Sequence, residues 1–195
     1  MAEPFEIITA PFDVWIAPVG EAFPGLGTDP ASPWELIGTN GNRNHSDDGV
    51  TITHNETVED FRTRGATGPV KSFRTEESIV VAFNLHDLTL EQYARVMNFN
   101  AITDNSAETP PDKTIDLYRG VNVGVRALLV RGPSPYMDGG QMQFEVPKVR
   151  ADGNSEVQFS KSTPAGLSLA FTTLEDLNAA SESERFGRLR AQTAA

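Results

Sequence analysis

The feature that most constrains this fold is a long stretch, residues 49–85, whose side chains alternate in character. Val50 and Ile52 share one parity while polar residues occupy the other, and apolar residues recur at every second position from Ile79 to Leu85. Period-two patterning with one polar face is typical of half-buried antiparallel strands. Because a charged, glycine-containing segment separates the two halves, the stretch predicts a long β-hairpin with a polar tip.

The rest of the chain favours strands on either side of a single helix. Strand-like composition recurs at 12–19, 34–37, 114–118, 121–131, 141–150 and 166–173. Residues 88–98 carry apolar side chains at helical spacing, and Thr89 followed by Gln92 fits a capping box. This segment predicts an amphipathic helix whose Tyr93 and Met97 pack in the core.

The order of strands, helix and strands predicts a mainly β fold. We expect an antiparallel β-sandwich or barrel with one flanking α-helix and a long hairpin arm at about 57–72. Residues 1–174 are expected to form this domain. Residues 175–195 are polar and are expected to be a C-terminal extension that is mobile or orders against a neighbour, with a weak helix at 183–192.

Two further local predictions concern the second half of the chain. Residues 100–112 end in two prolines and are expected to form a loop. The alternation in 141–150 predicts that Met142, Phe144 and Val146 point inward while the polar residues between them point outward.

Composition excludes several classes of site. The chain has no cysteine, which rules out disulfides, thiolate metal sites and a thiol nucleophile. Its 16 basic and 27 acidic residues give a net charge of −11, which disfavours a tight nucleic-acid binder. No apolar run approaches the ~20 residues of a membrane helix, and the N-terminal stretch lacks the pattern of a signal peptide. The expected compartment is a bacterial cytoplasm or a particle assembled there.

Candidate catalytic groups cluster in one short segment, where His45 is followed by Ser46, Asp47 and Asp48. These are the residue types of a nucleophilic triad, but neighbours in sequence rarely align in a relay. The aspartates could supply oxygen ligands to calcium, although the spacing of a calcium-binding loop is absent. We therefore expect a turn with solvated charges, with no catalytic residue, no bound metal and no cofactor.

Three segments follow one another between Trp34 and Asn98. WELIGTNG is followed by DDGVTITHNETVEDFRTRGATGPVKSFRTEESIVVAFNL and then by the helix HDLTLEQYARVMN. In this order they resemble the major tail tube proteins of siphophages, and the opening FDVWIAPVGEAFP is similar to the first strand and loop of that family. The resemblance covers about residues 10–100, whereas the later strands match only in kind.

The resemblance implies a structural role without enzymatic activity. In such proteins a two-sheet β-sandwich carries a flanking helix, and six subunits close a ring whose strands form a continuous inner barrel. The rings stack around a tape-measure protein and join other tail proteins. DNA later passes through the bore without specific binding. The implied location is the virion tail, assembled in the host bacterial cytoplasm, with no membrane partner.

The resemblance also implies roles for the charged hairpin. Four side chains are expected to face the lumen, namely Glu56, Glu59, Glu76 and Ser78. Contacts between subunits or rings are expected from Asp60, Arg62, Arg64, Lys71 and Arg74. The residues alone leave open a plainer interpretation, in which the same charges are a solvated sheet face with incidental ion pairs.

Three alternative functions stay open at this level. A non-catalytic β-sandwich binding module on a virion surface would need an exposed aromatic platform, for which Trp15, Trp34 and Tyr136 are the candidates. A hydrolase would use His45 and the aspartates that follow it. In the third alternative the chain is still a phage tail protein, but it is a tail terminator or a contractile-type tube protein.

Overall fold

The computed structural model describes residues 6–157, 159–162 and 164–194, and this part of the chain is mainly β. Strands make up 42% and helix 8%, and the sheet is antiparallel. The strands are β1 (Asp13–Ala17), β2 (Glu35–Leu36), β3 (His45–Phe61), β4 (Lys71–Leu85), β5 (Ile102–Asn105), β6 (Asp112–Ile115), β7 (Val125–Pro133), β8 (Gln141–Ala151), β9 (Leu167–Thr173) and β10 (Arg188–Ala191). The helices are α1 (Leu90–Val96) and two short 3-10 turns, Gly41–Asn44 and Glu182–Glu184. Residues 1–5 of the predicted domain and Ala195 of the predicted C-terminal extension lie outside the described residues.

One large sheet contains eight of the strands in the order β2-β1-β7-β8-β9-β4-β3, with β10 also paired to β8. β9 and β10 share one edge of β8, because β9 pairs with its last residues and β10 with Met142 to Glu145. β5 and β6 form a separate hairpin. Among the described residues the sheet does not close into a barrel, so its two outer strands are β2 and β3.

The main core lies on one face of this sheet. Val81, Phe83 and Leu85 of β4 are buried there beside the odd-numbered residues of β9, and Val96 of α1 covers them. A second, smaller core lies on the opposite face of β1 and β7, where Trp34 packs against residues of both strands. The β1–β7 half of the sheet is therefore covered on both faces, and the β3–β4 half is covered on one.

The predicted helix forms, but it is shorter than residues 88–98. Thr89 occupies the N-cap position without a side-chain hydrogen bond, so the predicted capping box is wrong. The Gln92 side chain instead accepts a hydrogen bond of 2.9 Å from Arg95 Nε. The helix ends before Asn98 and Phe99, both of which have a φ of 59°, a left-handed conformation that an α-helix cannot continue.

Asp87 fixes the position of α1 relative to the segment after β2. Its carboxylate accepts hydrogen bonds from the Thr39 N–H at 2.9 Å and from the Thr89 N–H at 3.2 Å. Burial opposes ionisation of Asp87, but the hydrogen bonds from Thr39 and Thr89 together outweigh it and lower its pKa. The charged form of this side chain therefore helps to hold the helix against the sheet.

Three local predictions are wrong, and each error has a physical cause. The predicted loop at 100–112 contains β5, which pairs with β6. The predicted helix at 183–192 is replaced by a 3-10 turn and by β10, because β8 offers a free edge to which this segment pairs. In β8 the polar Gln143 and Glu145 are 0% and 1% exposed, so these positions are buried rather than outward-facing.

Candidate functional site

The β3–β4 hairpin extends well beyond the rest of the sheet. The two strands pair from Val50 and Phe83 out to Phe61 and Lys71, whereas β4 pairs with β9 only from Val80 onward. Residues 54–79, which we call the ribbon, are thus a two-stranded extension. An isolated two-stranded hairpin is at best marginally stable in water, so a ribbon of this length gains stability if another surface covers it.

β3 also leaves a long edge of the sheet open. It runs for 17 residues, and no strand of the described chain pairs with its outer side. The opposite edge strand, β2, has only two residues. Folded monomers usually blunt an exposed edge with lysine, proline or a short strand. β3 contains neither lysine nor proline, and it pairs regularly with β4 from Val50 to Thr57, so the outward backbone N–H and C=O groups of that stretch are available to a further strand.

The two faces of β3 and β4 differ sharply in chemistry. The face opposite the core, which we call the polar face, is defined by the cross-strand rows Thr51–Ala82–Ala170 and Thr53–Val80–Thr172. All six side chains are small or β-branched and at least partly exposed. Directly behind them lie the buried Val81 and Phe83. This half of the sheet can therefore present to water one smooth surface of small side chains, in which threonines alternate with alanine and valine.

The register divides the four side chains predicted to face the lumen. Ser78 and Glu76 of β4 and Glu59 of β3 lie on the polar face. Glu56 lies on the other face, paired opposite Glu77, and its carboxylate is 2.7 Å from the Arg74 guanidinium. The structure therefore brings three of the four together and separates Glu56 from them.

Glu56 and Arg74 instead face an open groove of about 780 Å³. The groove lies between the ribbon and the segment after β9, which contributes Leu174, Glu175 and Phe186. The hydrogen bond that Arg74 donates to Glu56, the negative charge of Glu56 and the weaker contact to Glu77 raise the pKa of the Arg74 guanidinium. Glu76 and Ser78 of the polar face also line this groove, so it adjoins that face along β4.

The residues predicted to contact other subunits lie on the ribbon and its turn, and all are exposed. Asp60 accepts a hydrogen bond of 2.6 Å from Ser72 Oγ. Arg74 is held by Glu56, whereas Arg62, Arg64 and Lys71 make no ion pair with any other described residue. The tip therefore presents three cationic side chains without an intramolecular partner in the described part of the chain.

The ribbon also carries exposed apolar side chains, which were not among the predicted contact residues. Phe61 and Phe73 are 55% and 47% exposed and lie diagonally across the two strands on the polar face. Val58 and Val70 are similarly exposed nearby. In the sequence, the sign of this contact surface is the presence of four apolar residues within a charged segment. Val58 lies on the opposite face from the two phenylalanines. Exposed apolar side chains on a protruding element are typical of a contact surface.

His45, Asp47 and Asp48 do not form a catalytic relay. The His45 ring stacks on Phe83 with centroids 4.9 Å apart, and its Nε2 lies 3.4 Å from the Ile37 carbonyl oxygen. Its Nδ1 is buried without a hydrogen-bond partner among the described residues. Ser46 Oγ contacts Asp48 rather than His45. The histidine is thus a partly buried side chain that packs on the core residue Phe83 at the start of β3.

This position makes His45 a source of acid sensitivity. Burial lowers the pKa of His45, and the Ile37 carbonyl and the charge of Asp13 offset only part of that effect. The unfolded chain therefore binds a proton more readily, near its ordinary pKa of 6.5. We expect full stability above this pH and a loss of unfolding free energy as the pH falls below it.

Urea denaturation of the wild type and of His45→Gln between pH 7 and 5 tests this expectation. The variant should lose the part of the pH dependence that lies in this range, because it cannot take up the proton. His54→Gln is the matched control, since His54 is exposed on the ribbon. Equal pH dependence in the wild type and His45→Gln would contradict this account.

Other kinds of site find little support in the described residues. No three histidine, aspartate or glutamate side chains there are placed to hold a metal ion. No helix in residues 6–157, 159–162 and 164–194 has the length and apolar character needed to cross a membrane. The aromatic platform does not assemble, because Trp34 is buried and Trp15 packs beside it in the second core, which leaves Tyr136 exposed.

Comparison with known proteins adds no relative to these observations. No protein-family model matches the chain. No curated protein matches its sequence either.

Proposed function

We propose that this chain is the structural subunit of a bacteriophage tail tube and assembles into stacked six-membered rings. The observation that carries the proposal is the long open edge of β3, which a monomer has no other evident reason to keep. Closing a ring pairs such edges and removes them, and stacking rings is a heterologous contact that polymerises. Strands from neighbouring copies would then complete the barrel that one chain leaves open.

The ribbon fits the contacts that stacking requires. Its exposed Phe61 and Phe73 supply apolar area, and Arg62, Arg64 and Lys71 surround them with positive charge. The chain as a whole carries a net charge of −11, so another copy offers many carboxylates to these cations. Burial of the ribbon against a neighbour would also stabilise a hairpin that is otherwise exposed on both faces.

The polar face fits the wall of a DNA channel. Its rows of threonine, alanine and valine offer no large apolar or strongly basic site to which DNA could adhere, and Phe61, Phe73 and Lys71 lie beyond these rows, towards the tip of the ribbon. Carboxylates on this face include Glu59, Glu76 and Asp152, of which Asp152 is paired with Arg150 at 2.7 Å. Negative charge repels phosphates within the screening length of about 8–10 Å at physiological salt. In this arrangement DNA passes along the face without binding.

The double variant Glu76→Lys/Ser78→Lys tests the assignment of the polar face. Tubes assembled from it are expected to retain duplex DNA at low salt, whereas wild-type tubes release it, because two lysines per subunit would line the wall. Glu56→Lys is the matched control on the opposite face of the same strands. Retention measured by co-sedimentation should be equal in the control and the wild type. Equal retention in both lysine variants would contradict the assignment.

A further inference from the structure

A pocket of about 350 Å³ is lined by residues of β1, β7 and α1 and by none of the ribbon. It is formed where α1 meets the end of β1 and the beginning of β7. Its lining includes Pro33, Glu35, Ala94, Arg95, Phe99 and Arg126. The pocket is notable because two guanidinium groups line it in a chain that is acidic overall.

Arg95 is the more deeply placed of the two. It is 7% exposed, and its Nε donates a hydrogen bond of 2.9 Å to Gln92 on the same helix. Its only ion pair among the described residues is with Glu35, at 3.6 Å from Nη2. That distance is too long for a hydrogen bond. Because the Glu35 side chain is 73% exposed, water competes with this contact and weakens it.

Arg126 also lines the pocket and makes no ion pair with a carboxylate in the described chain. Its guanidinium lies 4.2 Å from the centroid of the Phe99 ring, and its Nη1 donates to the Val125 carbonyl oxygen at 3.0 Å. Burial lowers the pKa of Arg95, the charge of Glu35 opposes this effect, and the nearby charge of Arg126 lowers the pKa further. The two cations are thus close enough to repel each other.

Other charges around the pocket do not cancel this pair. Glu91 also lines it, but its carboxylate is bound by Lys113 at 2.8 Å. Glu35 is left as the one acidic group of the lining without a close cationic partner in the described part of the chain. Two guanidinium groups that line one cavity suit an oxyanion, which can accept charge-assisted hydrogen bonds from both.

We propose that this pocket is an oxyanion-binding site, with Arg95 and Arg126 as the donors and Glu35 as a weak internal competitor. Two sources can supply the oxyanion. One is a free phosphate-like anion, and the other is a carboxylate side chain of a second copy of this chain. Neither the ribbon nor the polar face contributes to the site. The tests of this site are therefore independent of the tests of the proposed tube.

Thermal unfolding in sodium phosphate, compared with sodium chloride at equal ionic strength, tests the site. Phosphate should raise the Tm of the wild type along a saturable curve, because a ligand that binds only the folded state stabilises it. Arg126→Gln should raise the half-saturating phosphate concentration by about tenfold, because the site loses a charge-assisted hydrogen bond. Glu35→Gln should lower that concentration, since it removes the competing carboxylate. Arg185→Gln, a surface arginine elsewhere, should leave it unchanged.

Sedimentation velocity with and without phosphate distinguishes the two sources. If a second copy occupies the pocket, phosphate and Arg126→Gln should both reduce self-association. If the anion is a free one, phosphate should raise the Tm and leave association unchanged. The proposal is overturned if two results are found together. Phosphate raises the Tm of neither the wild type nor the folded Glu35→Gln variant, and Arg126→Gln leaves self-association unaltered.

Discussion

One of two neighbouring proline substitutions, Thr53→Pro or His54→Pro, is expected to leave the subunit folded and to prevent its self-assembly. The two residues lie in a regular stretch of β3, opposite Val80 and Ile79, between the two irregularities of the hairpin. Successive N–H groups of a strand point to opposite sides. One of the two therefore donates to β4, and the other points out of the open edge.

The two variants should consequently differ in kind. Proline at the outward position removes a donor that only another chain could use, so the monomer keeps its Tm and loses assembly. Proline at the inward position removes a ladder hydrogen bond and should lower the Tm. We expect the outward variant to raise the concentration needed for assembly by about tenfold or more, because each interface loses a hydrogen bond and meets a steric clash.

Circular dichroism and sedimentation velocity on both variants make this comparison. Each variant serves as the control of the other, since the chemical change is identical and the positions are adjacent. Assembly that persists at wild-type concentration in the variant with an unchanged Tm would show that the edge of β3 is not the assembly surface.

The largest expected loss of stability comes from Arg188→Gln/Arg190→Gln. The carboxylate of Glu145 is 1% exposed and receives hydrogen bonds from Arg188 Nε at 2.5 Å and from Arg190 Nη1 at 3.0 Å. Gln143, itself fully buried, donates to the same carboxylate. Removing both arginines leaves a buried charge without a cation, which costs about 3–5 kcal/mol. That is a large share of the ~5–15 kcal/mol of a typical domain.

Urea denaturation measures this loss directly. Arg185→Gln is the matched control, because Arg185 pairs with Glu175 at the surface and should contribute less than about 1 kcal/mol. The hydrogen bond that Arg188 donates to Glu145 and the negative charge of that carboxylate also raise the pKa of Arg188. A loss in the double variant no larger than that of Arg185→Gln would contradict the view that Glu145 fixes β10 to the sheet.

The sequence predicts those parts of the fold whose signal is local. Alternation in 49–85 requires only neighbouring residues, and β3 and β4 form there with Val81, Phe83 and Leu85 buried as expected. The helix at Leu90–Val96 likewise follows from its own spacing. In each of these segments, the hydrophobic period and the final burial agree.

The errors arise where distant segments decide the outcome. Gln143 and Glu145 have an outward pattern, yet Arg131, Arg188 and the Pro24 carbonyl oxygen cover them with hydrogen-bonding partners. No local period can reveal partners that lie far away along the chain. The same network explains why residues 188–191 form a strand instead of a helix.

The sequence predicts that the charged hairpin carries the candidate site. It does not predict which side chains lie on which face of the hairpin. The polar ribbon follows from composition, but Glu56 and Glu59 are three residues apart and cannot share one face of a regular strand. On β4, an irregularity between Glu76 and Arg74 reverses the side on which the following residues point. Assigning side chains to faces therefore required the register of both strands.

Electron microscopy of the purified protein over a range of concentrations distinguishes a tube subunit from a monomer. We expect hollow six-fold rings or stacked tubes, with β3 of each copy joined to its neighbour around the bore. Single particles of monomer size at every concentration, with the outer side of β3 still facing solvent, would contradict it.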